Sequence, residues 1–307
     1  MAGRMNRRDF VKKSTLAASA AALAAAGLGN LTAAVRAAEK VAPGACTIKL
    51  AGLEVSRFIL GSNPFWGYAH KPGKLGEEMK QWYTDDRIKS VLDQAAEAGV
   101  STIASPPDLR WREVWAKYQE NGGKMKIWIA QCHGPVEKME EEIDVAVKAG
   151  AKAIFIQGHR VEQMFEKGKF DLLQKWAERI QKAGLPAGMA AHWPQVHPEL
   201  QKRKIPLDFY YQCFFNVTAG ENYRLEERVK AIETLGQLEK PVIAYKILGA
   251  GRLPAPEAFE FAFNHLKPKD GVCVGVYTRD AVDQVRENAT LTESLTALQQ
   301  KGATKSA

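Results

Sequence analysis

Eight short β-rich runs alternate with longer amphipathic, charged segments along residues 58–299, and this alternation restricts the chain to very few folds. The strand candidates are Phe58–Gly61, Val100–Ala104, Lys126–Gln131, Ala153–Gln157, Ala187–Ala191, Phe209–Gln212, Val242–Tyr245 and Val272–Val276. Between them the spacing predicts helices over Asp85–Ala98, Val136–Ala149, Phe170–Ala183, Leu225–Leu238 and Ala281–Gln299. The fifth connection runs from Pro194 to Pro206 and leaves room only for a stunted helix. Gly99, Gly150 and Gly184 follow an alanine just before a strand, the placing of a glycine that ends a helix. Strand–helix units repeated eight times close into a parallel (β/α)₈ barrel through right-handed crossovers.

Residues 1–37 read differently. Met5-Asn-Arg-Arg-Asp-Phe-Val-Lys-Lys13 precedes an Ala/Leu-rich segment and a Val35-Arg36-Ala37 end, the layout of an export leader rather than a membrane span. Arg7 and Arg8, with Phe10 and Lys12 behind them, resemble the twin-arginine signal that addresses folded proteins for export. The expected organisation is therefore a signal peptide over 1–37 and a single barrel domain over 38–307, with a periplasmic or otherwise exported location. The leader carries five of the eight net positive charges. What remains is too weakly basic to argue for nucleic acid, and no second apolar run approaches the ~20 residues of a membrane span. The expected partners are a small-molecule substrate and the export machinery. Cys46, Cys132, Cys213 and Cys273 have no metal-site spacing, and three of them fall in apolar strand-like runs where a thiol acts as a small hydrophobe.

In a barrel of this kind the strand C-termini and the loops after them build the active site. That rule picks out His70, His133, His159 and His192, of which the last three follow three consecutive strands. Converging imidazoles suit acid–base catalysis, or ligation of a divalent transition metal by His133, His159 and His192. Almost no carboxylate joins them; Asp108 is the nearest. His197 and His265 fall in helical or linking segments and read as surface residues. Asn63, Trp66, His70, Gln131, Gln157, Trp193, Gln212, Asn216 and Tyr245 are candidates for binding a substrate. Aromatic rings beside amides and imidazoles suit the apolar faces and hydroxyl edges of a sugar, although core packing explains many of them. Lys246, at the seventh strand end, is a candidate to stabilise an oxyanion.

Several stretches resemble the aldo-keto reductase family over nearly all of residues 50–290. Leu53-Glu-Val-Ser-Arg-Phe-Ile-Leu-Gly61 resembles its opening strand, Phe209–Asn216 its sixth strand, and Lys246-Ile-Leu-Gly-Ala-Gly-Arg-Leu253 its cofactor loop. Gln284–Asn288 resembles its distal helix, and Asn63–Gly67 with His70 and Tyr83-Thr84 is similar to an exported subgroup. The resemblance implies a barrel that binds NADP(H), with Gly249, Gly251, Arg252, Arg279 and Asn288 as cofactor contacts if NADP(H) is bound. It also implies a catalytic Asp, Tyr, Lys and His. The first three fall near Ala104, Leu109 and Gln131, and only His159 matches. The favoured expectation is thus non-reductase chemistry (lyase, isomerase or hydrolase) on a small hydroxylated or carbohydrate-derived substrate. His159 would lead it, with His133, His192 and Lys246 assisting. An NADP(H)-dependent oxidoreductase with a displaced tyrosine, Tyr68 or Tyr245, and a non-catalytic sugar or metabolite binder are the alternatives.

Overall fold

The computed structural model describes residues 46–215 and 225–305. A hairpin of β1 (Thr47–Leu50) and β2 (Leu53–Ser56) comes first and was not expected from the sequence. Its two-residue turn, Ala51-Gly52, has positive φ at both positions (46° and 90°), as a tight hairpin turn requires. Then follow β3 (Phe58–Gly61), α1 (Leu75–Trp82), α2 (Asp85–Glu97), β4 (Thr102–Ser105), α3 (Leu109–Glu120), β5 (Ile127–Cys132) and α4 (Met139–Lys148). Next come β6 (Ala153–Ile156), α5 (Gly158–Glu166), α6 (Phe170–Lys182), β7 (Ala187–Ala191), α7 (Val196–Lys202) and β8 (Phe209–Cys213). The chain ends with α8 (Leu225–Gln237), β9 (Val242–Tyr245), α9 (Ala255–Phe263), β10 (Gly271–Gly275) and α10 (Gln284–Lys305). Strands β3 to β10 close into a parallel barrel, with β10 pairing back onto β3. This is the (β/α)₈ barrel that the alternation predicts, with the short fifth helix in place as α7. No helix of the described residues is long and apolar enough to cross a membrane.

Local chemistry explains the element ends. Thr84 accepts from the Arg87 amide to cap α2, and Asp108 accepts from the Trp111 amide at 2.9 Å to cap α3. Asp108 is therefore a helix cap. Gly99, Gly150 and Gly184 all take positive φ at helix ends, and the Val100 amide closes back onto the Ala95 carbonyl at 2.8 Å.

Two apolar layers follow from strand alternation. One lies between strands and helices and holds Trp111, Trp128 and Trp176. The other fills the barrel and joins Ile48, Leu50 and Val55 of the hairpin to Ile59, Ile129, Phe155, Phe209, Tyr211 and Ile243. The hairpin thus plugs the end of the barrel where the strands begin. Gly188 in β7 makes room for the Phe209 ring, because a Cβ there would sit 2.4 Å from a ring carbon. Beside the plug, the buried Arg57 guanidinium donates to the carbonyls of Asp270 and Lys267, to Thr296 Oγ1 and to Gln299 Oε1. All four cysteines are free thiols.

Candidate active site

A cavity of about 460 Å³ opens at the other end, where the strands finish. Its floor is the last inward-facing side chain of several strands: Ala104, Gln131, Phe155, Ala190, Tyr211, Tyr245 and Cys273. The small residues among them keep the barrel from filling. Phe155 and Tyr211 stack almost flat, 4.0 Å between centroids and 9° between planes, and form an aromatic slab under the space. The Tyr245 ring stands edge-on to His192 at 5.8 Å.

His192 and Glu162 form the strongest polar pair of the wall. Helix α5 starts directly after β6, so Gly158 and Glu162, one turn apart, share the face turned to β7. Glu162 is 5 % exposed. Its Oε2 lies 3.1 Å from His192 Nδ1, and its Oε1 accepts the backbone amides of His192 and Trp193. Burial alone pushes the Glu162 carboxyl up, but the His192 ring and these amides outweigh it and hold the group below its ordinary value. In the neutral ring, the ionised carboxylate selects the tautomer that donates from Nδ1–H and leaves Nε2 with its lone pair. Gly158 completes the fit, since a Cβ there would lie 3.0 Å from Nδ1.

His133 lines the cavity too. Its amide and that of Gly134 donate to Glu142 Oε2 at 2.9 and 2.7 Å, and its Nε2 lies 4.0 Å from Glu142 Oε1. His70 sits across the mouth with φ of 51°, and Arg252 donates to its carbonyl at 3.0 Å. Burial first, then Lys246, His192 and Arg252, drive the His70 imidazole down to about 4, so it is neutral at ordinary pH. Lys246 has φ of 55° and opens a loop in which Gly249, Ala250 and Gly251 are also left-handed. Lys71 donates to the Gly251 carbonyl at 3.0 Å and, with Arg252, ties this loop to the one after β3.

Of the residues singled out from the sequence, the cavity gathers Asn63, His70, Gln131, His133, Gln157, His192, Tyr245, Lys246 and Gly251. It does not gather His159, which is exposed as the second residue of α5 and absent from the lining. The strand ends at Ile156 and the helix begins at once, so position 159 turns outward while 158, 161 and 162 turn in. Among the described residues no group of three His, Cys, Asp or Glu side chains is placed to hold a metal, so the His133–His159–His192 triad does not form.

Gln212 is fully buried and donates to the Cys213 carbonyl, outside the cavity, because Tyr211 takes the inward position of β8. Trp66 lies under the Arg110 guanidinium and Trp193 packs on the outer core; neither lines the space. Asn216 lies outside the described residues, as does the leader over 1–37. His197 corrects the surface reading: it is fully buried in α7, with Nε2 2.9 Å from the Tyr211 carbonyl, whereas His265 is exposed. Glu162 was missed. The available signal was a carboxylate on the apolar stripe that Gly158, Val161 and Phe165 define.

The residues fit a nicotinamide dinucleotide poorly. Arg252 donates to the Gly249 and His70 carbonyls, and Arg279 is engaged by Glu78 at 3.1 Å and Asp280 at 2.8 Å. Gly249 is not among the lining residues. Asn288 is buried, with neither side-chain heteroatom partnered among the described residues, and lies off the cavity. Burial drives the Tyr245 hydroxyl well above its ordinary value, the wrong direction for a proton donor, whereas Tyr68, the other tyrosine singled out, is exposed and lines the cavity.

No family model matches the sequence, and no curated protein aligns with it. Among solved structures, a protein assigned to the aldo-keto reductases from Pseudomonas aeruginosa superposes with a TM-score of 0.56 at 16% identity, over 82% of this chain and 96% of that one. The glycerol dehydrogenase of Gluconobacter oxydans gives 0.56 at 11%, over 85% and 96%. A truncated 3-deoxy-D-arabino-heptulosonate 7-phosphate synthase from Thermotoga maritima gives 0.50 at 13%, over 86% and 94%. The chain shares the aldo-keto reductase-like barrel fold.

Proposed function

We propose that this barrel is an enzyme that moves protons on a small hydroxylated, carbohydrate-derived substrate, with lyase or isomerase chemistry ahead of hydrolysis. The observation that carries the reading is the Glu162–His192 pair on the cavity wall. A carboxylate that fixes one ring nitrogen as donor makes the other a general base, and the imidazolium then formed is stabilised and can return the proton as an acid. Lys246 supports the charge that develops on a substrate oxygen. Gln131, Gln157 and Asn63 supply amide donors and acceptors for hydroxyls, above the apolar Phe155–Tyr211 slab. His133, backed by Glu142, is the partner acid–base group. The role first assigned to His159 thus passes to His192.

The test is hydrogen exchange into substrate carbon. Aldoses, ketoses and sugar acids incubated with the protein in deuterated water gain deuterium at the carbon whose proton is moved, read by NMR. His192→Gln abolishes the incorporation, and Glu162→Gln slows it by about 10²–10⁴-fold. Wild-type rates in His192→Gln would refute the assignment.

The reading includes export of the folded protein, supported by the Arg7-Arg8 run. Purification from the periplasm of a host with a working twin-arginine pathway should give protein lacking about 37 residues. Full-length protein confined to the cytoplasm of that host counts against it.

A further inference from the structure

The lining of the cavity is divided by side. Gln131, His133, Gln157 and His192 come from the ends of β5, β6 and β7. In the closed strand order, β6 and β7 stand across the barrel from β10 and β3. On that far side the space is lined by Pro64, Leu75, Met79, Tyr277 and Ala281, with Leu248 beside them. Leu75 and Met79, one turn apart on α1, turn the same face to it. Pro64 lies so close over Gly275 that a Cβ there would stand 2.6 Å from its ring, so the ends of β3 and β10 meet in an apolar contact. Polar residues keep to the margin of this side. Asn63 and Asp280 are exposed, Gln284 accepts the Tyr277 amide at 2.8 Å, and Lys71 reaches over to the Gly251 carbonyl. His70 lies close enough to Lys246 and His192 to feel their charge.

The apolar side continues onto the surface. Among the described residues, the exposed large hydrophobic side chains are Tyr68 (55 %), Leu109 (61 %), Val229 and Val282 (68 %). All but Val229 follow β3, β4 or β10, which are neighbouring strands, at the end where the cavity opens, and Tyr68 lines it. Single exposed hydrophobics scatter over any protein, but their gathering at one side of a mouth marks a surface that takes apolar contact.

We infer that the substrate of this site is amphipathic, a hydroxylated unit joined to an apolar ring such as an aromatic aglycone. The inference rests on the acid–base reading above and names the substrate class of the same site. The hydroxylated unit meets Gln131, His133 and Gln157 beside His192. The ring lies against Leu75, Met79 and Tyr277, with its outer edge at Tyr68. At about 460 Å³ the cavity falls in the ~300–1,000 Å³ range that buries a drug-sized ligand, room enough for both parts. A free sugar would leave the Leu75–Met79 face against water, whereas an apolar ring removes that face from it.

The test compares phenyl with methyl glycosides of D-glucose and D-galactose, both anomers of each, titrated into the full chain by calorimetry at several temperatures. At least one phenyl glycoside binds about tenfold or more tighter than its methyl partner, the effect of burying about two methylene equivalents. Its binding also carries the more negative heat-capacity change. Leu75→Gln keeps the size and suits a helix, and it brings that pair within about threefold. The ratio within a pair does not depend on how much of the protein is folded, so a folding defect would not move it. Phenyl glycosides that bind no better than their methyl partners, or not at all, overturn the inference. So does a full preference retained in both Leu75→Gln and Met79→Gln. The acid–base reading fails on a different result, undiminished deuterium incorporation in His192→Gln. Equal binding of phenyl and methyl glycosides, with incorporation still lost in that variant, would therefore remove only the apolar ring.

Discussion

His197 gives the fold a pH dependence whose size follows from its surroundings. The ring is fully buried in α7, tilted against Tyr210 at 4.8 Å. Nε2 donates to the Tyr211 carbonyl at 2.9 Å, and Nδ1 has no partner among the described residues. Burial lowers its pKa to about 4 from the ordinary 6.5, against smaller opposing effects of the Tyr211 hydrogen bond and Glu162. The difference, at 1.36 kcal/mol per unit, corresponds to about 3 kcal/mol. Because the folded pKa is the lower one, the unfolded chain takes up the proton first. The stability is complete above 6.5, is lost as pH falls toward 4, and changes little below that. His197→Gln keeps an N–H donor for the Tyr211 carbonyl and removes the titration. Urea unfolding followed by tryptophan fluorescence, at steps from about pH 7.5 to 4, measures both proteins. Their difference in unfolding free energy should shift by about 3 kcal/mol in favour of the variant across that range. His70 titrates in the same window but is common to both and cancels. A difference that stays constant within about 0.5 kcal/mol would refute the argument that burial keeps this imidazole neutral.

Other perturbations separate the two ends of the barrel. Gly158→Ala places a methyl 3.0 Å from Nδ1 and 3.1 Å from Cε1 of His192, so the ring must move by a few tenths of an ångström away from Glu162. Deuterium incorporation should fall about 10- to 100-fold while the melting temperature holds or rises, since alanine suits a helix better than glycine; wild-type rates in this variant would show that the ring tolerates the shift. Arg57→Met leaves two carbonyls, a hydroxyl and an amide oxygen without their donor at the plugged end. A loss of about 3–5 kcal/mol in urea unfolding is expected, with exchange activity retained at permissive temperature, and a loss below about 1 kcal/mol would contradict the buried role of that guanidinium.

The sequence revealed the barrel because periodicity and glycine punctuation are local signals. Phe58–Gly61, Ala187–Ala191 and Val242–Tyr245 end in the structure where the alternation ends them, and the other strands differ by one or two residues. The hairpin escaped because Leu53–Gly61 reads as one β-rich run; Arg57 alone separates β2 from the barrel strand β3, and the Ala51-Gly52 turn pairs β2 with β1 instead. Site residues were legible where strand parity decided them. Gln131 and Tyr245 take the last inward-facing positions of their strands, whereas Gln212, one residue past the inward Tyr211, does not. His159 and Glu162 turn on where a helix begins. With no loop after β6, three residues reverse which side chain meets the cavity, and no composition signal marks that. His197 looked like a linker residue because Pro194 and Pro198 flank it, yet Val196, His197 and Leu200 form the buried face of α7.

The polar groups of the mouth are unevenly distributed around the barrel, and that distribution bears on the chemistry. The resemblance to reductases expects its proton-handling groups after β4 and at β5, where this chain has Ala104, Leu109 and Gln131; Leu109 is 61% exposed. Glu162, His192, Tyr245 and Lys246 instead occupy the arc from β6 to β9, and the loop after β9 is bound to the loop after β3 through Arg252 and Lys71. A barrel changes its chemistry by such relocations at little structural cost, because each strand end is an independent mounting point on one packed core. The Phe155–Tyr211 slab and the small Ala104 and Ala190 keep the floor largely apolar and recessed, and the Glu162–His192 pair lies at its edge. In the proposed acid–base role such a pair gains from a recessed position, where its field is less screened than in open solvent, and Glu162 is held there by α5 rather than by a loop.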